Sequence, residues 1–283
     1  MNVITEPSAM QRSADDARAE GKTIAFVPTM GALHDGHLTL IREAVGYGDI
    51  VVTSIFVNPA QFGQGEDFDR YPRNLDRDAP LAADAGCDIL FVPSKGAMYP
   101  EGHATFVNVE TITELLEGKS RPGHFRGVAT IVAKLCNIVK PHVLLLGQKD
   151  GQQVAVLRRM LRDLQFDVRL VVVTTVREKD GLAMSSRNVY LTPEERAQAP
   201  VLYASLCLAE QAARGGERKA DVIREAMREM ISAKPLARID YVSIAHGDSL
   251  EELARISIGT PVMISLAVRF GTTRLIDNIT FTL

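Results

Sequence analysis

At 283 residues the chain is longer than a minimal domain and has the length for one large or two modest units, each with a core of its own. With 46% hydrophobic and 24% charged residues it reads as globular, which excludes an extended disordered chain. The formal net charge of -3, with no long block of lysine or arginine, excludes a broad basic surface for nucleic acid. Any phosphate chemistry must use a local basic cluster.

The opening residues, Met1 to Asp16, show no basic segment followed by an apolar run, so no secretory leader is expected. From Thr23 onward, short apolar runs alternate with helical patterns. Thr23 to Val27, Ile50 to Val57, Ile89 to Val92, Val143 to Leu146 and Val168 to Val173 are rich in Val, Ile and Phe and bounded by Gly, Pro, Asn or Asp, which predicts strands. All fall well short of the ~20 residues a membrane helix needs, so no membrane partner is expected. Between them, Val128, Ile131, Val132, Leu135, Cys136 and Val139 recur at helical spacing, as do Val154, Leu157, Met160, Leu161 and Leu164. This alternation predicts an α/β fold: a Rossmann-like, doubly wound parallel sheet covered on both faces, with ligands outside the carboxyl ends of its strands.

The texture changes after Leu191. Thr192-Pro193-Glu194-Glu195 reads as a helix start, with Thr192 as cap, Pro193 at the first helical position and Glu195 completing a capping box. Helical stretches are expected over Pro193 to Arg214 and Glu217 to Ala233. Strands are expected at Ile239 to Ile244, Val262 to Val268 and Leu275 to Phe281. This region reads as a smaller C-terminal α+β domain. The boundary is expected near residues 175 to 190, dividing a larger domain over 1–175 from a smaller one over 176–283. Cys87, Cys136 and Cys207 are odd in number and widely spaced, which points to free thiols in a reducing, cytoplasmic setting.

The first candidate site follows the first predicted strand: Pro28-Thr29-Met30-Gly31-Ala32-Leu33-His34-Asp35-Gly36-His37. Gly31 and Gly36 permit a tight turn and close approach by a ligand. His34 and His37 stand at a helix start, where both can face a phosphate and the helix dipole favours negative charge. The same residues would also make an ordinary capped turn carrying two exposed histidines. Zinc is disfavoured, because no third and fourth ligands stand nearby at customary spacing, and no protein metal site is expected.

This segment resembles the His-x-Gly-His signature of the nucleotidylyltransferase superfamily and of class I aminoacyl-tRNA synthetases. The resemblance implies handling of a nucleoside triphosphate at its α-phosphate and leaves the acceptor open. Further segments narrow it: Ile55-Phe56-Val57-Asn58-Pro59-Ala60-Gln61-Phe62-Gly63 with Asp69-Arg70-Tyr71-Pro72-Arg73, Arg121-Pro122-Gly123-His124-Phe125, Gly147-Gln148-Lys149-Asp150-Gly151-Gln152-Gln153, and Asp180-Gly181-Leu182-Ala183-Met184-Ser185-Ser186-Arg187-Asn188. Together these resemble the motif set of the pantothenate synthetase family from Thr23 to Leu191, and more weakly beyond.

The residues also have readings of their own. Met184 to Arg187 offers two hydroxyls, backbone amides and a guanidinium, an inventory suited to several phosphate oxygens, although a polar loop at a domain boundary would look alike. By resemblance it is the counterpart of the Lys-Met-Ser-Lys-Ser loop, with Arg187 as its cation. Lys149 suits a β- or γ-phosphate, or is a solvated lysine. Asp150 either caps the following helix or, as the resemblance implies, accepts from ribose hydroxyls. Gln61 and Gln153 donate and accept while uncharged, which would leave a substrate carboxylate nucleophilic. Gly151 stands where the resemblance leads one to expect an aromatic ring; glycine weakens a helix by about 1 kcal/mol relative to alanine, and a packing gap is expected there.

The resemblance implies an ATP-dependent ligase: pantoate attacks the α-phosphate of Mg-ATP to give pantoyl adenylate, and β-alanine then gives pantothenate and AMP. It implies catalytic roles for His34, His37, Lys149 and Arg187, with His37 as proton donor. ATP would contact Met30, Gly31, Ala32, Leu33, His34, Asp35, Gly36 and His37, then Gly147, Gln148, Lys149 and Asp150, then Val176, Met184, Ser185, Ser186 and Arg187. Pantoate would meet Met30, Gln61 and Gln153, with Gln61 also near β-alanine. Mg2+ would arrive on the ATP phosphates, and the chain would form a homodimer. Two other functions stand as alternatives: a nucleotidylyltransferase, which would share His34 and His37 but keep AMP in its product, and a non-catalytic nucleotide sensor.

Overall fold

The computed structural model describes residues 1–63, 65–66 and 68–283. These divide into two compact units, 1–147 with 156–173, and 148–155 with 174–283.

In the first unit the strands are β1 (Asn2–Ile4), β2 (Ile24–Thr29), β3 (Ile50–Ile55), β4 (Ile89–Phe91), β5 (Val143–Gly147) and β6 (Arg169–Val173). The helices in chain order are α1 (Pro7–Ala19), α2 (Asp35–Ala44), α3 (Leu75–Asp84), the short α4 (Lys95–Met98) and α5 (Leu116–Ser120), α6 (His124–Val139) and α7 (Gly151–Asp163), of which residues 151–155 count with the second unit. The described strands form one six-stranded parallel sheet in the order β1-β4-β3-β2-β5-β6. Strand order reverses between β2 and β5, where Phe26 pairs with Val52 on one side and Leu144 on the other. Such a switch point is where an open α/β sheet takes its ligands. Ile24, Ala25, Phe26 and Val27 are buried without interruption, as a central parallel strand covered on both faces requires. Leu38 and Ile41 of α2 join Val51, Leu90 and Leu145 in one apolar cluster on the sheet. β1 is not among the strands the sequence predicts; it is three residues long, mostly exposed, and attached at the edge through β4.

The second unit carries α8 (Pro193–Gln198), α9 (Val201–Arg214), α10 (Ala220–Ser232) and the antiparallel strands β7 (Ala237–His246), β8 (Pro261–Phe270) and β9 (Thr273–Thr282). Thr192 caps α8 and Glu195 closes the capping box, as the sequence predicts. The helix expected over Pro193 to Arg214 is instead two: α8 stops at Gln198, and α9 starts after Pro200, whose ring removes a helical donor. Leu202 and Leu206 of α9 and Ile223 and Met227 of α10 pack with Ile244, Ile264 and Leu266 of the sheet. Val262, Ile264, Leu266, Val268 and Phe270 of β8 share one core face, which sets the register of Ile264 opposite both Ile244 and Ile279, while Met263, Ser265 and Ala267 between them are buried as well.

Candidate active site

The turn after β2 is built from its own backbone outward. Gly31 has φ +83, and a Cβ there would lie 3.0 Å from Ile55 Cγ2 and 3.2 Å from Asp78 Oδ2, so glycine is needed on both counts. The next residue, Ala32, is also left-handed at φ 50. Asp78, on α3 and 1% exposed, accepts from the Leu33 amide at 3.0 Å, while Arg77 donates to the Leu33 carbonyl at 3.1 Å. The sequence singles out neither residue, because α3 is 45 residues downstream and a helical Asp gives no local signal.

His34 is the N-cap of α2. Its Nδ1 accepts from the Gly36 amide at 3.2 Å, and His37 Nδ1 accepts from the His34 amide at 3.4 Å, a capping box made of two imidazoles. The rings lie 4.1 Å apart, and both residues are half-buried rather than exposed. A neutral ring whose Nδ1 accepts carries its proton on Nε2. The geometry is that of a capped turn, in which Nδ1 of each ring organises the helix start.

A second cluster surrounds Gln61, at the end of the 3-10 turn Pro59–Gln61 after β3. Gln61 is 9% exposed; its Oε1 accepts from Asn58 Nδ2 at 3.0 Å, and its Nε2 lies 3.2 Å from Met30 Sδ. Asn58 uses its whole amide, donating also to the Gly127 carbonyl and accepting from Tyr99 Oη and the Ala60 amide. Burial pushes the Tyr99 phenol up to about 12, so it remains a donor at neutral pH. A side chain on Gly127 would run into the Ala60 backbone, which is how α6 packs so close to this turn. Arg121 forks onto Glu66 at 2.6 and 2.7 Å, and His124 Nδ1 lies 2.7 Å from the Gln61 carbonyl. Burial alone would raise the Glu66 carboxyl, but the guanidinium holds it below the ordinary carboxylate range.

The remaining predicted residues, apart from Gly147 at the end of β5, lie in the second unit. Gln148–Asp150 forms a 3-10 turn directly after β5, with Lys149 Nζ 3.4 Å from Asp150 Oδ1. Gln153 is half-buried in the first turn of α7. The gap expected at Gly151 is not there: a Cβ would stand 2.8 Å from Asn278 Oδ1 and 2.9 Å from Met263 Sδ. The segment from Val176 to Met184 folds back on itself, with Met184 N donating to Val176 O and Glu178 N to Leu182 O around the left-handed Gly181. Ser185 caps the 3-10 turn Ser186–Tyr190 by accepting from the Arg187 amide. Asn188 donates to Glu178 and the Ala183 carbonyl, and Arg196 bridges Glu178 and Asp180. Among the described residues no group of three or more His, Cys, Asp or Glu is placed to hold a metal ion.

A doubly wound parallel sheet with a histidine-capped, glycine-bearing turn at its switch strand defines the class: an α/β protein of the kind that takes its ligands outside the carboxyl ends of its strands. The family described as pantoate–β-alanine ligase matches residues 2–280. A pantothenate synthetase from Pelotomaculum thermopropionicum is 55% identical, the match covering 98% of this chain and 96% of that one. The crystal structure of pantothenate synthetase from Thermus thermophilus is 47% identical with a TM-score of 0.91 over 99% of both chains. That of pantoate–β-alanine ligase from Francisella tularensis, complexed with β-γ ATP and β-alanine, is 34% identical with a TM-score of 0.80, covering 99% of this chain and 97% of that one. The chain belongs to the pantoate–β-alanine ligase family, and the ATP-dependent ligation of pantoate and β-alanine is the reaction that family implies.

Proposed function

We propose that the chain makes pantothenate in two steps through an enzyme-bound pantoyl adenylate. A pantoate carboxylate oxygen attacks the α-phosphorus of Mg-ATP, and the bond to pyrophosphate breaks. The amine of β-alanine then attacks the pantoyl carbonyl, the bond to AMP breaks, and the amine gives up a proton. The observation that carries this reading is the pair of imidazoles at the start of α2. Each spends Nδ1 on the backbone and carries its proton on Nε2, at a helix end that favours an anion. His34 and His37 donate hydrogen bonds to phosphate oxygens as charge develops. Lys149, Ser185, Ser186 and Arg187 hold the departing pyrophosphate. Met30, Gln61 and Gln153 hold pantoate, and Gln61, fixed by Asn58, lies beside β-alanine. The backbone of Met30 to His37 and Gly147 to Asp150, with Val176 and Met184, lines the nucleotide.

Magnesium enters as part of Mg-ATP, keeping oxygen ligands from the phosphates and from water. The amides, hydroxyls and cations assigned to the phosphates suit that substrate. Residues 176–283 act as a lid that keeps water from the adenylate. The working form is a cytoplasmic homodimer, a reading carried by the family resemblance. Among the described residues no helix is long and apolar enough to cross a membrane. Pantoate labelled with oxygen-18 in its carboxylate tests the chemistry. The label is expected in AMP after full turnover, and label in inorganic phosphate with release of ADP would replace the adenylate by an acyl phosphate.

A further inference from the structure

Asn278, on the last strand of the chain, makes more specific contacts with the Gln148–Asp150 turn than packing alone requires. Its Nδ2 donates to the carbonyls of Gln148 and Lys149, both at 2.9 Å, and its Oδ1 accepts from Gln148 Nε2 at 2.7 Å. Both amide hydrogens are thus spent on two consecutive peptide groups, so the carboxamide fixes the turn's height and tilt together. The residue is 4% exposed, and water does not compete for these bonds. Gly151 completes the arrangement. Any Cβ there would fall 2.8 Å from Asn278 Oδ1 and 2.9 Å from its Cγ, inside the distance real side chains tolerate.

The strand that carries Asn278 is itself anchored. Asp277, 2% exposed, takes a fork from Arg177 at 2.6 and 3.0 Å, and the Asn278 amide donates to Asp277 Oδ1 at 2.8 Å. Successive side chains point to opposite faces of a strand. Asp277 therefore ties β9 to the segment leading to Ser185–Arg187, while Asn278 ties the same strand to the turn carrying Lys149. Two successive residues of β9 thus bond to Arg177 and to the Gln148–Asp150 turn.

We propose that Asn278 is a positioning residue for Lys149, and that the glycine at 151 is the space its carboxamide occupies. The inference rests on Lys149 acting at the phosphates of ATP. A lysine reaches its target through a flexible four-carbon stem, so the turn's backbone sets where the ammonium can be delivered. Misplacement by about 1 Å costs on the order of 100-fold in rate.

The test is labelled pyrophosphate–ATP exchange by the full-length chain with pantoate and magnesium. Asn278→Ala is expected to lower the exchange kcat by about 10–100-fold while KM for pantoate stays within about twofold. Gly151→Ala, which deletes no hydrogen-bonding group, is expected to do the same, and it serves if Asn278→Ala does not fold. Thr280→Ala, at an exposed position on the same strand, should leave exchange unchanged. The decisive comparison is made in a Lys149→Ala background, where adding Asn278→Ala should change the residual exchange by less than about twofold. Where residual exchange is too low to measure, the same cycle is read as ATP affinity by calorimetry. If Asn278→Ala costs its full factor with Lys149 already gone, or costs nothing in a folded protein, the positioning role is wrong. Full exchange by Lys149→Ala would overturn the phosphate reading itself, and the proposal with it.

Discussion

The turns after β2 and β5 follow neighbouring strands of one sheet, yet they are held in opposite ways. The turn from Met30 to His37 is mostly self-supporting: His34 and His37 cap the helix they begin, and Gly31 supplies the backbone bend. Its principal outside support is Asp78, on a helix of the same unit. The turn from Gln148 to Asp150 is gripped by Asn278, 130 residues further on. Function written into a local motif survives as long as the motif does, whereas function delivered by a remote strand depends on the packing of a whole second core.

Substitutions can break this contrast, and the largest effects are expected at the side chains assigned to phosphate. His37→Ala and Lys149→Ala should each lower pyrophosphate exchange by about 100–1,000-fold, the usual scale for removing one donor to a developing charge. Melting followed by circular dichroism should show both folded, Lys149→Ala near the parent's midpoint and His37→Ala somewhat below it through the lost capping-box hydrogen bond. Near-normal exchange from both folded variants would remove the site assignment.

Asp78→Ala probes the local side. It deletes the acceptor for a buried Leu33 amide, and a buried donor left unpaired costs about 1–3 kcal/mol. A lower melting midpoint and reduced exchange are expected together, and Asp78→Asn, which keeps an acceptor oxygen, should recover most of both. Equal losses in the two variants would mean that charge, not the hydrogen bond, is what matters there. Thr192→Ala should cost about 1 kcal/mol through the lost cap of α8, with exchange unchanged in the folded fraction.

The smallest effect concerns pH. The hydrogen bond from Arg196 holds the Asp180 carboxyl below its ordinary range. A carboxyl depressed in the folded state adds stability above its unfolded pKa and loses it as pH falls through the folded value. The contribution should therefore vanish only in acid, below about pH 4. Melting curves of Asp180→Asn and the parent should run parallel from about pH 6 to pH 9 and converge in acid. Divergence near neutrality would show that another group controls this loop.

The same contrast explains what can be read from sequence. The run Ile24 to Val27, the helical spacing in α6 and the Thr192–Glu195 capping box all encode their structure within a few residues, and each is where the pattern puts it. The two-histidine turn is legible because a strand end, a glycine and a helix start occur together. β1 escapes because three mostly exposed residues on an edge carry no periodicity. The break at Pro200 is masked by an alanine-rich pattern that continues on both sides, although the proline itself is there to be read. Asp78 and Asn278 are invisible for a different reason: each acts on a backbone group far away in the chain, and nothing beside either residue announces it. The gap expected at Gly151 fails on the same ground, because the carboxamide filling it comes from β9.

Activation of pantoate before the amine takes part is the step that separates an adenylate route from its alternatives. Pyrophosphate carrying a phosphorus-32 label, supplied with ATP, magnesium and pantoate but without β-alanine, should pass its label into ATP at a rate comparable to turnover. Omitting pantoate should abolish the exchange. Exchange that appears only when β-alanine is present, or that needs no pantoate at all, would contradict an enzyme-bound pantoyl adenylate.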